Sequence, residues 1–330
     1  MTRRVIEGLN PSEFQHPLDK DALEVLNKVP ILPKVIELVG VPYNTIWRSM
    51  LLGGHIKVSS NQMSSIHKML LESCEILGVE LPALYVCSEG ELNAYTACPD
   101  KPIIQISGYL LDAFDEDEIR FVIGHELAHI KLQHIIYTTL GSLLSQGILD
   151  TALSVVPGGS LLSGGANLGL NYALFRWYQS GELSCDRGGL LACQNVDAAL
   201  RALTKLGGFT TKFNAEFDFN EYVEQANQFE DIGENSLGAV QKVILSYMAA
   251  THPFVATRVC ELKRFSENGH YEAILDRTPF VDEVFLQRQA EKQAQKDAAN
   301  AELKESAGAL LGEAKNIGSN LLGRFGGSKK

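Results

Sequence analysis

Two histidines and a glutamate stand at helical spacing in the segment FVIGHELAHIKLQH, residues 121–134. His125 and His129 are four positions apart, so on an α-helix both imidazoles leave the same face and can meet at one metal ion. Glu126 projects beside the expected metal ion. A capping box over Asp115–Glu118 predicts the start of the helix, and the apolar residues around the motif predict its burial. Buried helices seldom carry three such side chains without partners, which favours a metal site over a chance pattern.

This H-E-x-x-H pattern is typical of hydrolytic zinc sites, where a water molecule fills an open metal position and a neighbouring carboxylate accepts its proton. We therefore expect one zinc ion per chain, with His125 and His129 as ligands and Glu126 as the general base. A catalytic zinc site usually has a third protein ligand, which has to come from another part of the chain.

The best candidate for that third ligand is Glu182, in the segment 175–192, which reads as a second buried helix. Asp186 lies four positions later on the same face. A ligand histidine normally donates its second ring N–H to a carboxylate, and Asp186 has the type and spacing for that supporting task. Cys185 is an alternative ligand because thiolates bind zinc. The other alternative is a solvated acidic face paired with Arg187.

Composition favours an ordinary folded enzyme. The chain has 330 residues, 45% of them hydrophobic, which is enough for a sizeable core. Its net charge of -11 repels phosphate backbones, so we expect no nucleic-acid partner. Six cysteines form no C-x-x-C pair, and the first residues contain no apolar run of signal-peptide length. These features predict reduced thiols and a cytoplasmic location, with membrane association as the alternative.

We expect three parts: an N-terminal helical segment packed on the core over 1–80, a catalytic domain over 81–280, and an exposed helix with a Gly-rich mobile tail over 281–330. Within the catalytic domain, 135–175 is almost free of charge and predicts an apolar hairpin insertion. We expect the hairpin to pack on the core or lie along a membrane surface, because burying its Asp150 in lipid is costly. The alternative is a membrane span, since 135–156 is long enough to cross a bilayer. Peripheral membrane contact is expected there or at the C-terminal tail. His134 is expected to be solvated or to cap a helix.

Four segments together resemble one known family, the HtpX-like and CAAX-prenyl-protease-like zinc metallopeptidases, which are gluzincins. The four segments are LNAYTA at 92–97, DEDEIRFVIGHELAHI at 115–130, GELSCDRGG at 181–189 and THPFVATR at 251–258. They span about half of the chain in the family's order. The resemblance implies an α+β fold, a mainly helical, zincin-like metalloprotease domain. The strand-like segments 83–87, 92–97 and 102–107 predict a small antiparallel sheet beside the H-E-x-x-H helix. The resemblance also implies a ligand at Glu182, the glutamate of an E-x-x-x-D motif, with Asp186 in support.

Further site residues are implied by the resemblance. Asn93 and Ala94 look like a pair on an edge strand that aligns the substrate by strand addition. His252 and Arg258 look like donors to the oxyanion that forms during hydrolysis. For these two, a helix-cap neighbour and a structural ion-pair partner are the alternatives.

The sequence thus predicts a zinc metalloendopeptidase that acts on proteins or peptides, in quality control or processing. A non-catalytic, metal-stabilised scaffold or a membrane-associated adaptor with the same fold is the alternative. Glu126 argues against that alternative, because structural zinc is closed by four protein ligands and has no use for an adjacent free carboxylate.

Overall fold

The computed structural model describes residues 3–26, 44–88, 91–139, 165–208, 212–235 and 254–281, and the single residues 210, 287 and 290. The chain divides into two compact units, Met1–Pro279 and Phe280–Lys330. The elements below belong to the first unit. Residues 140–164 of the predicted hairpin and nearly all of the predicted tail lie outside the described residues, so the three-part division stays a prediction.

Helices make up most of this unit. The helices are α1 (Pro11–Phe14), α2 (Pro17–Leu26), α3 (Ser64–Leu77), α4 (Gly108–Ala113), α5 (Glu116–Lys131), α6 (Gly165–Cys193), α7 (Val196–Gly208), α8 (Phe219–Asn235), α9 (Val255–Glu267) and α10 (His270–Leu275). The strands are β1 (Ile56–Lys57), β2 (Ala83–Cys87), β3 (Ala94–Ala97) and β4 (Ile103–Ser107). A further helical stretch covers residues 44–54. The predicted mainly helical α+β class is confirmed.

Helix α5 carries the H-E-x-x-H motif and begins where the sequence predicts. The Asp115 side chain accepts hydrogen bonds from the backbone N–H groups of Asp117 and Glu118, and the Glu118 carboxylate accepts one from the Asp115 N–H. This capping box satisfies amide groups that the first helical turn leaves open. The motif residues that follow are buried.

The four strands form one sheet in the order β1–β2–β4–β3. β1 pairs antiparallel with β2 and β3 pairs antiparallel with β4, whereas β2 and β4 run parallel. The sheet is therefore mixed, and the expectation of a purely antiparallel sheet is corrected on this point. The reason is that β3 follows β2 along the chain but lies on the far side of β4. Among the strands that the structure describes, this order makes β3 an edge strand, and β3 packs against α5.

Helices α5 and α6 approach each other closely through small residues. A Cβ atom added at Gly124 would lie 2.3 Å from the Cβ of Ala192, and one added at Gly188 would lie 2.4 Å from the Cβ of Ala128. Both distances are far below a normal carbon–carbon contact of about 3.5–4.0 Å. Glycine at these two positions therefore allows the two helices, which carry the predicted metal ligands, to lie side by side.

The segment before the sheet packs behind these helices. Helix α2 lies along α6, and Asp19 is completely buried. Its Oδ2 accepts a hydrogen bond of 2.7 Å from the Ser184 hydroxyl. The backbone N–H of His16 donates to the same Ser184 oxygen at 2.8 Å. Two residues of the N-terminal segment thus fasten it to the middle of α6.

Helix α6 begins at Gly165, well before the predicted start at Phe175, so it includes the end of the segment 135–175. Within the part of the chain that the structure describes, no helix combines the length and the apolar character needed to cross a membrane.

Candidate metal centre

Three side chains from two helices meet at one buried point. The Nε2 atom of His129 lies 3.4 Å from Oε1 of Glu182, and the Nε2 atom of His125 lies 3.5 Å from Oε2 of the same carboxylate. Glu182 is 2% exposed, and both histidines are buried. The structure therefore brings together the three residues that the sequence predicts as metal ligands.

These separations are longer than ordinary hydrogen bonds and close to the spacing of two ligand atoms on one metal ion. Hydrogen bonds from N–H to oxygen have donor–acceptor distances of about 2.7–3.2 Å, shorter than either separation here. Ligand atoms placed tetrahedrally at about 2.1 Å from zinc are roughly 3.4 Å apart. The two separations are of that size, and each runs to a different oxygen of the Glu182 carboxylate. Two imidazoles with one carboxylate are also a donor set that suits zinc in hydrolytic sites.

Asp186 orients His125 from the side away from Glu182. Its Oδ1 lies 3.0 Å from the Nδ1 of His125, which leaves Nε2 directed towards Glu182. Arg258, on α9, donates two hydrogen bonds to Asp186, from Nε at 2.9 Å and from Nη2 at 2.6 Å. The third nitrogen, Nη1, lies 3.7 Å from Oε2 of Glu182. Arg258 thus contacts both carboxylates of the E-x-x-x-D pair.

The buried charges of this cluster are strongly coupled. Burial opposes a charge on His125, but the Asp186 and Glu182 carboxylates outweigh it and raise the pKa of the imidazole to about 10. For Asp186, burial opposes ionisation, but Arg258 and His125 outweigh it and hold the pKa of the carboxyl below its usual value. The Asp186 carboxyl is therefore held in its ionised form, and it favours a positive charge at His125.

Cys185, the alternative ligand, also lies near the histidines. His125, His129 and Cys185 each offer a ligand atom within 4.8 Å of the others. The Cys185 sulfur is 3.5 Å from Nδ1 of His134, and burial together with nearby carboxylates raises the pKa of its thiol well above the usual value. Glu182 is a ligand candidate as well, because each of its oxygens lies within 3.5 Å of one histidine Nε2.

His134 is completely buried, so the expectation that it is solvated or caps a helix was wrong. Its Nε2 lies 3.2 Å from Oδ2 of Asp19, and its ring packs edge-on against the ring of His129 at 5.4 Å between centroids. The sequence carries no local sign of this contact, because Asp19 and His134 are more than a hundred residues apart.

Glu126, the predicted general base, is 4% exposed and faces the sheet. The hydroxyl of Thr96, on β3, lies 2.6 Å from Oε2 of the Glu126 carboxylate and 3.2 Å from the Glu126 backbone oxygen. Thr96 is not among the site residues that the sequence predicts. The signal that was available is its place in the strand segment LNAYTA, two positions after Ala94.

Of the predicted substrate-binding pair, Ala94 opens the edge strand β3, and Asn93 directly precedes it. The Asn93 carbonyl accepts a hydrogen bond of 2.9 Å from the Ser107 N–H, which fixes the start of the strand. His252 lies outside the described residues.

Comparison with known proteins agrees with this geometry. The model of peptidase family M48 matches residues 60–266. A plastoglobule-localized metallopeptidase 48 of Arabidopsis thaliana is 30% identical over 277 residues, which cover 83% of this chain and 78% of that protein. A protease HtpX homolog of Helicobacter pylori is 27% identical over 227 residues, which cover 63% of this chain and 69% of that protein. No solved structure matches the chain. The chain belongs to peptidase family M48 and is a metallopeptidase.

Proposed function

We propose that this chain is a zinc-dependent endopeptidase whose single zinc ion is bound by His125, His129 and Glu182. The observation that carries the proposal is the pair of separations, 3.4 and 3.5 Å, between the histidine Nε2 atoms and the two oxygens of one buried carboxylate. Three protein ligands leave a fourth position open, as in catalytic zinc sites.

The remaining residues of the site have separate tasks. When bound, zinc acts as a Lewis acid that polarises the scissile carbonyl and activates the attacking water. Glu126 accepts the proton of that water and delivers it to the leaving nitrogen, as a general base and then a general acid. Asp186 holds His125 in the tautomer that offers Nε2 to the metal. Arg258 holds Asp186 in place through its hydrogen bonds. That Arg258 and His252 donate hydrogen bonds to the oxyanion stays a prediction.

The edge strand supports a role in substrate binding. Within the described part of the chain, β3 pairs with β4 on one side and with no strand on the other. An extended substrate can add to such an edge through backbone hydrogen bonds, which align a peptide without reading its side chains. We assign this task to Asn93, Ala94 and the strand that follows. Strand addition favours cleavage within a chain over removal of single terminal residues.

The substrates are proteins or peptides, as the peptidase family implies. A role in quality control or processing, a cytoplasmic location and peripheral membrane contact through 135–175 or the tail remain predictions from the sequence. The Arabidopsis relative is named for plastoglobules. That name gives a reason to include membrane fractions when the cellular location of this chain is measured.

The ligand set is tested by measuring zinc content and peptidase activity on an unfolded protein for the full chain, Glu182→Gln and Cys185→Ser. We expect one zinc per chain in the unmodified protein and in Cys185→Ser. Glu182→Gln should lose most of its zinc and its activity, because the neutral amide is a much weaker ligand at the same size. Chelation should inactivate the unmodified chain, and added zinc should restore it.

Comparing Glu182→Gln with Cys185→Ser distinguishes the two ligand candidates, since Glu182 and Cys185 are both buried on α6. Loss of zinc in Cys185→Ser with retention in Glu182→Gln would assign the metal to Cys185 and overturn the proposed site. A chain that binds zinc in every form but never cleaves would instead support the metal-stabilised scaffold.

A further inference from the structure

The hydroxyl of Thr96 makes a single short hydrogen bond to the carboxylate of Glu126. Its Oγ1 is 2.6 Å from Oε2 and 3.2 Å from the backbone oxygen of Glu126. An ionised carboxylate only accepts hydrogen bonds, and a hydroxyl has one proton to donate. The shorter, charge-assisted contact therefore takes that proton. Among the described residues, Thr96 is the hydrogen-bond partner of the Glu126 side chain.

Thr96 is held firmly where it makes this contact. Successive side chains of a strand point to opposite faces, so Thr96 faces α5 while Tyr95 faces the other side of the sheet. There, Tyr95 donates a hydrogen bond of 2.5 Å to Gln105 on β4, and its ring packs against Trp47 at 5.7 Å between centroids. Side-chain contacts therefore fix β3 on the face away from α5, and pairing with β4 fixes it along one edge. A hydroxyl on this strand is a stable point from which to orient a carboxylate.

We propose that Thr96 is a positioning residue for the general base, which deepens the proposed function and rests on it. By occupying Oε2, the hydroxyl restricts rotation of the Glu126 carboxylate and leaves Oε1 to take the proton from the attacking water. A base that is misplaced by about 1 Å can cost a factor of roughly 100 in rate, so this restriction affects catalysis directly.

The same contact links substrate binding to catalysis. Thr96 lies within β3, the edge strand that the proposed function assigns to substrate alignment. The element that lines up the peptide therefore also holds the carboxylate that acts on it. Thr96 acts through Glu126, so its loss should lower kcat and leave KM nearly unchanged.

The test compares Thr96→Val, Thr96→Ser and the unmodified full chain, each loaded with zinc, on one peptide substrate. Valine has nearly the shape of threonine but no hydroxyl, whereas serine restores the hydroxyl. We expect Thr96→Val to lower kcat roughly 10- to 100-fold with KM within about twofold, and Thr96→Ser to recover most of that loss. Zinc content should be similar in all three proteins, and the Tm of each should stay well above the assay temperature.

Thr204→Val is the matched control. Thr204 is buried on α7, and its hydroxyl donates to the Arg201 carbonyl at 2.9 Å, so the change removes one buried hydroxyl away from the site. An unchanged kcat in Thr96→Val, an effect on KM alone, or a Thr96→Ser variant as slow as Thr96→Val would each overturn the proposal.

Glu126→Gln, measured in the same assay, distinguishes failure of this proposal from failure of the proposed function. If that variant is as active as the unmodified chain, the proposed function fails; if it is inactive while Thr96→Val is normal, the role of Thr96 alone fails.

Discussion

Arg258 clamps Asp186 through two parallel hydrogen bonds, of 2.9 Å from Nε and 2.6 Å from Nη2. Asp186 is 1% exposed, and its Oδ1 also contacts the Nδ1 of His125 at 3.0 Å. A planar guanidinium matches a carboxylate in this two-pronged geometry, which an ammonium group cannot reproduce. Helix α9 therefore controls, through Asp186, the direction in which His125 presents its other nitrogen.

Replacing Arg258 by lysine should weaken metal binding although the charge is kept. Loss of the second hydrogen bond frees the Asp186 carboxylate to rotate, and changes to such supporting contacts typically cost about 10- to 100-fold in metal affinity. We expect the zinc Kd of Arg258→Lys to rise within that range, as measured by competition with a chromogenic chelator.

Arg277→Lys serves as the control for this change. Arg277 pairs with Glu13 at 3.2 Å on the protein surface, where such pairs are worth little. Its zinc affinity should equal that of the unmodified chain. Unchanged affinity in Arg258→Lys would show that Asp186 does not need the clamp.

The close approach of α5 and α6 predicts an unusual sensitivity to one methyl group. A Cβ at Gly188 would lie 2.4 Å from the Cβ of Ala128, so Gly188→Ala forces the two helices apart. We expect it to lower the free energy of unfolding by about 1–3 kcal/mol in urea titrations and to reduce zinc affinity as well. Ala128→Gly in the same chain removes the clashing methyl group and should restore part of both losses.

Gly208→Ala is the comparison for this prediction. Gly208 also lies in a helix, but a Cβ there meets nothing within 4 Å. Alanine is the better helix former, so this change should leave stability equal or slightly raised. Equal stability of Gly188→Ala and the unmodified chain would contradict the close packing.

Asp19 should contribute to stability although it lies far from the metal ligands in sequence. It is completely buried, and its Oδ2 lies 2.7 Å from the Ser184 hydroxyl and 3.2 Å from Nε2 of His134. Asp19→Ala leaves the buried Ser184 hydroxyl without its acceptor and removes the carboxylate beside His134, and losing a buried hydrogen-bond partner costs about 1–3 kcal/mol. Asp21, exposed on the same helix, is the control, and Asp21→Ala should change the urea midpoint very little. Similar midpoints for the two variants would contradict the buried contact.

The sequence predicts the parts of the site that depend on helical spacing. His125 and His129 are one turn apart, as are Glu182 and Asp186, and the capping box at Asp115 is a local pattern. The periodicity of one helix is enough to place each pair on a face. The structure then shows that the two faces meet.

The contacts that sequence analysis missed join residues whose separation along the chain hides them. Thr96 reaches Glu126 from a strand, and Asp19 reaches His134 from the N-terminal segment. Neither contact follows from helical or strand periodicity, because each depends on how the elements pack. The order of the sheet is missed for the same reason, since three consecutive strands predict a simple antiparallel arrangement unless the crossover past β4 is known. Gly124 and Gly188 do indicate the close helix packing in the sequence itself, because glycines inside buried helices often mark such packing.

The most direct test of the catalytic claim is cleavage of an unfolded protein by the full chain and by its Glu126→Gln variant, both with measured zinc content. Glutamine keeps the size of the side chain and can still accept a hydrogen bond from Thr96, so the variant should bind zinc as the unmodified chain does. It cannot take a proton from water, so we expect its cleavage rate to fall by a factor of about 100 or more. Equal cleavage by the two proteins, at equal zinc content, would contradict the assignment of Glu126 as the general base.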